Sequence, residues 1–257
     1  MQAQDDLGAP SEFYSDLVSE LYDPLAGEPA RADQYAPFLD LCGTPALELA
    51  CGSGHPLIEL LERGYDIEGL DSSSDMLELC RSRAAERGLA ASLHLGLMQS
   101  FRLPRRFRSI FLAAASFTLL TSDNDAANAL VSIHEALESG GHALIPIDRV
   151  NPDETRRILG KYRETTDASG ARLRVAVLSL DMHDDGRSAS LRHRYERIPM
   201  EGEARSVERT WHRRWWTQEQ FRELVFAAGF TDLTFVDPTG AVADPDAALF
   251  VALARRR

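Results

Sequence analysis

The 257-residue sequence predicts an α/β fold built on an open sheet, with helices between its strands. Three observations carry this. Residues 46–71 read strand, glycine loop, helix, strand and terminal acid. Further short apolar runs at 91–95, 109–115 and 142–147 are separated by amphipathic helical stretches. From residue 171 the pattern turns to period two, which marks an antiparallel sheet set into the chain.

Composition bounds the reading. The chain is 44% hydrophobic and 26% charged, within the globular range, and is long enough for one sizeable α/β domain with a small subdomain. A net charge of −12 argues against a nucleic-acid partner, and the arginines at 102–108, 205–214 and 255–257 read as solvated. Cys42, Cys51 and Cys80 are odd in number and lack CxxC spacing, so neither a disulfide framework nor a metal site is expected. That points to a reducing compartment. The start, MQAQDDLGAP, is acidic and polar rather than a signal peptide, and no apolar run is long enough for a membrane span. A soluble cytoplasmic protein is expected.

The stretch 46–71 organises the rest. Ala46 to Ala50 is an apolar strand, and Cys51-Gly52-Ser53-Gly54 lets the backbone turn sharply against a ligand. Pro56 suits the first helical position, Leu57, Ile58, Leu60 and Leu61 share a face, and Gly64 ends the helix. Tyr65 to Leu70 is the next strand, closed by Asp71. Backbone N–H groups of the loop suit a carboxylate or phosphate, and the terminal acid suits a ribose diol. A nucleotide-type cofactor follows. The dinucleotide fingerprint needs a third glycine where Leu57 stands, which argues against a nicotinamide oxidoreductase.

Glu48-Leu49-Ala50-Cys51-Gly52-Ser53-Gly54, with Asp71 beyond, resembles the first two motifs of class I S-adenosylmethionine-dependent methyltransferases. The resemblance implies a Rossmann-like seven-stranded sheet whose last strand is antiparallel, under an N-terminal helical lid. It also implies an antiparallel β insertion roofing the active site. The cofactor would be S-adenosyl-L-methionine, leaving S-adenosyl-L-homocysteine. It assigns lid to 1–45, cofactor core to 46–150, insertion to 151–216, and the final helix and strand pair to 217–257.

In order, 11–22 reads as an amphipathic helix capped by Ser11, after a disordered 1–10; Pro24 to Pro29 breaks it, and a second helix at about 31–42 is interrupted or redirected by Pro37. By resemblance Tyr14 and Tyr22 touch the methionine part of the cofactor or the substrate; alternatively they pack their helix. Ser72 with Asp75 starts the helix after Asp71, and by resemblance Ser72 and Met76 lie beside ribose and adenine. Relatives place an acid after the third strand, where this chain has Leu97; either Gln99 or Ser100 substitutes for it, or the adenine is held by backbone and apolar contact only, with Met98 among the cofactor-binding residues.

The fourth strand, 109–115, follows Arg108 rather than an acid. It brings Ala113 and Ser116 to the methyl-donor end by analogy, with alanines where relatives hold polar groups. A helix over 125–139 ends at Gly140-Gly141, and the strand 142–147 ends at Asp148, the acid best placed for a substrate. In the insertion Asp184-Asp185-Gly186 makes a hairpin, followed by a strand at about 204–215. Trp211, Trp215 and Trp216 either line a substrate site or pack a core. Thr217 caps the last helix, and strands at 230–236 and 247–254 close the sheet.

The resemblance, to small-molecule methyltransferases including the aminosugar N-methyltransferase type, implies methyl transfer to an O or N atom of a small natural product or sugar-like molecule. Positioning does most of that work. His55, His183, His193 and His212 are candidate bases; His212, beside the tryptophans, is preferred, with Tyr14 positioning the acceptor. A homologue that binds the cofactor without methylating shares every cofactor residue. A homodimer stays open.

Overall fold

The computed structural model describes residues 13–257. Its elements are α1 (Leu17–Leu25), α2 (Ala32–Cys42), β1 (Ala46–Leu49), α3 (Leu57–Glu62), β2 (Ile67–Asp71), α4 (Ser74–Glu86), β3 (Ser92–Leu95), β4 (Phe107–Leu112) and α5 (Asp123–Ala136). There follow β5 (Leu137–Asp148), α6 (Pro152–Ile158), β6 (Tyr162–Thr166), β7 (Arg172–Met182), β8 (Ser188–Ile198), β9 (Arg205–Arg214), α7 (Gln218–Ala227), β10 (Asp232–Val236) and β11 (Leu249–Arg255). Two compact units divide them: a larger one of Glu28–Arg149 with Arg214–Arg257, and a smaller one of residues 13–27 with Val150–Arg213. The Ser11 cap and the disorder expected for 1–10 lie outside the described residues.

The larger unit holds a seven-stranded sheet in the order β10-β11-β5-β4-β1-β2-β3. β1 is parallel to β2 and β4, whereas β11 runs antiparallel to both β5 and β10. All four residues of β1 are buried, as an inner strand covered on both faces requires. Leu49 pairs with Leu70 on one side and Leu112 on the other, so three strands end in one line. That register brings Ala50, Asp71 and Ala113 to a common edge, the carboxyl ends where ligands of open α/β sheets bind.

The smaller unit is a four-stranded antiparallel sheet, β6-β7-β8-β9. Leu17, Val18 and Leu21 of α1 pack on Leu173, Val175 and Tyr195 of that sheet. Each such leucine contributes roughly 2 kcal/mol of burial. The β7–β8 turn closes through Gly186 N–H to the His183 carbonyl at 3.1 Å.

Several local expectations shift. α1 runs through Pro24 to the buried Leu25, and α2 passes Pro37 unbroken, because apolar burial beyond each proline outweighs the lost N–H. β4 stops at Leu112, and Ala113–Ala115 bend into a 3-10 turn over Ser116–Leu119. α5 starts at Asp123, capped by Ser122, and ends at Ala136. Gly140-Gly141 therefore lie within β5; Gly140 has φ +79°, and the β4–β5 register shifts between Phe107 and Ser109. Neither α6 nor β6 has a clear sequence signal: α6 is a short helix capped by Asn151, and every residue of β6 is exposed. Among the described residues no helix is long and apolar enough to cross a membrane.

Candidate functional site

The glycine loop joins β1 to α3. Ala50 and Gly52 have φ of +54° and +53°, and Gly54 has +95°, so the chain reverses through left-handed conformations. For Ala50 that region costs about 1 kcal/mol. A side chain at Gly54 would lie 2.6 Å from Ile58 Cδ1 and 2.8 Å from Cys80 Sγ, which excludes any residue but glycine without rearrangement. Pro56 stands at the N-cap of α3, one position before the first helical residue expected for it.

Asp71, at the end of β2, ties this loop down. Its Oδ2 accepts the Gly52 N–H at 2.8 Å and its Oδ1 accepts the Ser73 N–H at 2.8 Å. A carboxylate has about four acceptor positions, so two backbone bonds leave room for a diol. Burial pushes its pKa up, opposed by the N–H groups of Ser73 and Gly52.

Glu48 is the exceptional residue. It is 0% exposed, and neither carboxylate oxygen has a hydrogen-bond partner among the described residues. Burial, then the nearby Asp71 carboxylate, pushes it well above the ordinary carboxylate range, against a smaller opposing pull from the Leu57 backbone N–H. A buried unpartnered carboxyl is costly unless a donor or cation meets it, and the α-ammonium of an amino-acid-bearing cofactor supplies both. The cradle, the orphaned carboxyl and the diol acceptor together fit S-adenosylmethionine.

Around this frame Met76 is buried on α4, its terminal methyl 3.3 Å from where a Gly52 Cβ would stand. Ser73, not Ser72, caps α4 by accepting the Met76 N–H at 3.2 Å, because Asp71 orients the Ser73 backbone. Ser72 is half-buried beside it. Leu97 is exposed and Met98 and Gln99 are half-buried in the turn after β3, so no side-chain carboxylate from 97–100 faces this edge. Ala113 leaves β4 with its carbonyl accepting the Tyr35 hydroxyl, and Ser116 opens the 3-10 turn. Tyr35, stacked on Phe111 at 5.1 Å, has its pKa pushed to about 12 by burial and by Glu48. Its signal in sequence was only an aromatic hydroxyl on an otherwise apolar helix face.

His55, next to the loop, accepts from Arg83 at 2.9 Å, while Arg83 also donates to the Ser53 carbonyl at 3.3 Å. That engages the lone pair a base would use. Asp148 is half-buried at the carboxyl end of β5. Trp215 and Trp216 are core residues: Trp216 Nε1 donates to Asp123 at 2.9 Å, and its ring meets Phe117 edge-on at 5.6 Å.

In the smaller unit Tyr14, Tyr22, His193 and Trp211 line a cavity of about 480 Å³. Trp211 Nε1 donates to the Tyr14 hydroxyl at 3.1 Å. His212 lies instead in a chain in which Ser190 Oγ bridges His212 Nδ1 at 3.0 Å and His183 Nε2 at 2.9 Å. Burial, then the neighbouring His183, lowers the His212 pKa. Among the described residues no cluster of His, Cys, Asp or Glu could hold a metal ion.

Residues 46–141 match the family model for a methyltransferase domain. Over 99 residues the chain is 34% identical to dTDP-3-amino-3,4,6-trideoxy-alpha-D-glucopyranose N,N-dimethyltransferase of Streptomyces venezuelae, covering 38% of this chain and 40% of that protein. The chain thus spans well under two thirds of the length of the first curated relatives it matches. Among solved structures, an S-adenosylmethionine-dependent methyltransferase from Clostridium acetobutylicum superposes with a TM-score of 0.73 at 16% identity, over 93% of this chain and 97% of that one. The sugar N-methyltransferase KedS8 from Streptoalloteichus gives 0.70 at 22% identity, over 93% of each chain. Both likenesses concern the fold. Residues 46–141, which hold the glycine loop and Asp71, are thus a methyltransferase domain by the family they match, set in a chain whose fold is that of S-adenosylmethionine-dependent methyltransferases.

Proposed function

We propose that the protein transfers a methyl group from S-adenosyl-L-methionine to an O or N atom of a small molecule of natural-product or sugar-like type. The observation that carries the cofactor is the buried Glu48 carboxyl, without a hydrogen-bond partner among the described residues, beside the Gly52–Asp71 clasp. The acceptor class is supported by the aminosugar substrate in the name of the S. venezuelae relative.

When bound, the cofactor supplies a sulfonium-borne methyl that an acceptor takes by in-line displacement, releasing S-adenosyl-L-homocysteine. Glu48 holds the ammonium, the backbone of Ala50, Gly52 and Gly54 admits the amino-acid tail closely, and Asp71 with Ser72 receives the ribose hydroxyls. Met76 and Met98 provide apolar wall for adenine, with Gln99 at its edge. Ala113 and Ser116 border the donor end. Tyr22 contributes to holding the cofactor, and Tyr14 positions the acceptor. His212 is kept neutral by its surroundings and Ser190 engages its Nδ1, so Nε2 is the ring atom left to take a proton; Asp148 is the carboxylate alternative. Such a protein needs neither nucleic acid nor membrane, and three free, buried cysteines suit the cytoplasm. Both a monomer and a homodimer accommodate this chemistry.

Calorimetric titration with S-adenosylmethionine and S-adenosylhomocysteine, beside NAD as control, tests the cofactor. Micromolar binding of both sulfur compounds, lost in Asp71→Ala and Gly52→Val, is expected. Binding of neither by the folded wild type refutes the proposal. Mass-spectrometric detection of a 3-aminosugar nucleotide gaining one or two methyl groups then tests the acceptor class.

A further inference from the structure

The cavity of the smaller unit has a chemistry of its own. Its wall is aromatic: Tyr14 and Tyr22 meet edge-on at 5.5 Å, and His193 and Trp211 edge-on at 5.4 Å. The strand register builds the floor, because Arg163 pairs with Val175 and Val175 with Tyr195, which sets all three in one cross-strand row. Val177 and His193 form the next row on the same face. The space of about 480 Å³ is within the range of small-molecule sites.

Charge decides the ligand class. Among the described residues no Asp or Glu lines the cavity, although the chain carries 40 acidic residues and a net charge of −12. Two cations do line it, Arg163 and Lys161, two residues apart on one stretch of backbone. Lys161 is the one lysine in the 257 residues. Among the described residues neither Lys161 nor Arg163 forms an ion pair, whereas Arg174, Arg194 and Arg197 of the same sheet are each paired with an acid. An aromatic box alone would suit an ammonium, but two unneutralised cations at its edge repel one. They attract a carboxylate or phosphate, which a guanidinium grips bidentately. His193 adds a neutral acceptor: its Nδ1–H donates to the Leu191 carbonyl at 3.1 Å, which leaves Nε2 for a ligand hydroxyl.

We propose that this cavity binds a small molecule carrying a planar ring and one anionic group, with the ring against Tyr14, Tyr22 and Trp211 and the anion on Lys161 and Arg163. The site rests on residues of the smaller unit and holds whether or not its ligand is the methyl acceptor.

Three probes sharing one ring test it: 2-naphthoate, 2-naphthyl phosphate and neutral 2-methoxynaphthalene, titrated calorimetrically into the full chain. At least one anionic probe is expected to bind tenfold or more tightly than the neutral one, and the tighter of the two names carboxylate or phosphate as the preferred group. Lys161→Met and Arg163→Met should each cost that probe about tenfold in Kd while leaving the neutral probe unchanged. Both side chains are exposed, so both variants are expected to fold, as checked by their melting temperatures. Arg81→Met, which changes net charge equally but lies in the larger unit, should have no effect. The anionic probe should also slow acylation of Lys161, read by peptide mass spectrometry. Equal binding of charged and neutral probes, indifference to both substitutions, or no binding of any probe overturns the proposal.

Discussion

The backbone N–H of Gly52 and the carboxylate of Asp71, nineteen positions apart, are joined by a 2.8 Å hydrogen bond. One bond thereby sets the glycine loop against the end of the neighbouring strand before any ligand arrives. Asp71→Asn keeps an acceptor for one N–H but removes the charge and one of the two acceptor oxygens. Cofactor affinity should fall about tenfold to a hundredfold, as expected for losing a charge-assisted bond to a ligand. Calorimetry checks this, and unchanged affinity would remove Asp71 from the site.

Glu48 makes the free protein sensitive to pH in a defined direction. Its folded pKa lies well above its unfolded one, so the folded state binds the extra proton. Stability contributed this way is present at low pH and is lost as pH rises from the ordinary carboxylate range through the raised folded value. Glu48→Gln should flatten the fall in melting temperature on that limb and weaken S-adenosylmethionine binding at least tenfold. Binding of the ammonium to wild type should also release a proton. The heat of binding should then differ between phosphate and Tris buffers, and a buffer-independent heat would contradict the assignment.

Ala50 occupies a conformation that glycine adopts freely. Relief of the left-handed strain, less the entropy glycine loses on folding, should make Ala50→Gly more stable by about 0.5 kcal/mol. Gly54→Ala should do the reverse, by about 2–3 kcal/mol, since its Cβ meets Ile58 and Cys80 and its φ is +95°. Chemical denaturation of the pair distinguishes these signs.

Burial lowers the His193 pKa from its usual 6.5 to about 4. A depressed histidine contributes stability that is full above the unfolded pKa and lost as pH falls through the folded value. Between about pH 6.5 and 4 the loss should approach about 3 kcal/mol. His193→Phe keeps an aromatic ring but does not titrate, so its melting temperature should fall less across that window. Parallel wild-type and variant curves would rule the effect out.

Much of the cofactor frame was legible in the residues because its causes are local. A four-residue apolar strand, a turn that needs small residues and an acid at the next strand end are each set by neighbours in the chain. Thr217 was likewise readable as the cap of α7, since it accepts the Gln220 N–H three residues on. The same local logic misplaced the start of α4, where Asp71 draws in the Ser73 N–H and makes Ser73 the cap. It also ended the first helix before Pro24 and had Pro37 interrupt or redirect the second, whereas burial carries both onward.

The sequence by itself determined the class of fold, the glycine loop, the acid that clasps it and an antiparallel sheet inserted late in the chain. Tertiary structure alone decided which polar groups meet. It left the Glu48 carboxyl without a hydrogen-bond partner among the described residues, set the Tyr35 hydroxyl on the Ala113 carbonyl and engaged His55 with Arg83. It also sent Trp216 into a core while placing Trp211 on a cavity wall. The division has a physical cause: turn geometry and strand length depend on adjacent residues, whereas burial and pairing depend on segments as far apart as Tyr14 and Trp211, which only the folded chain brings together.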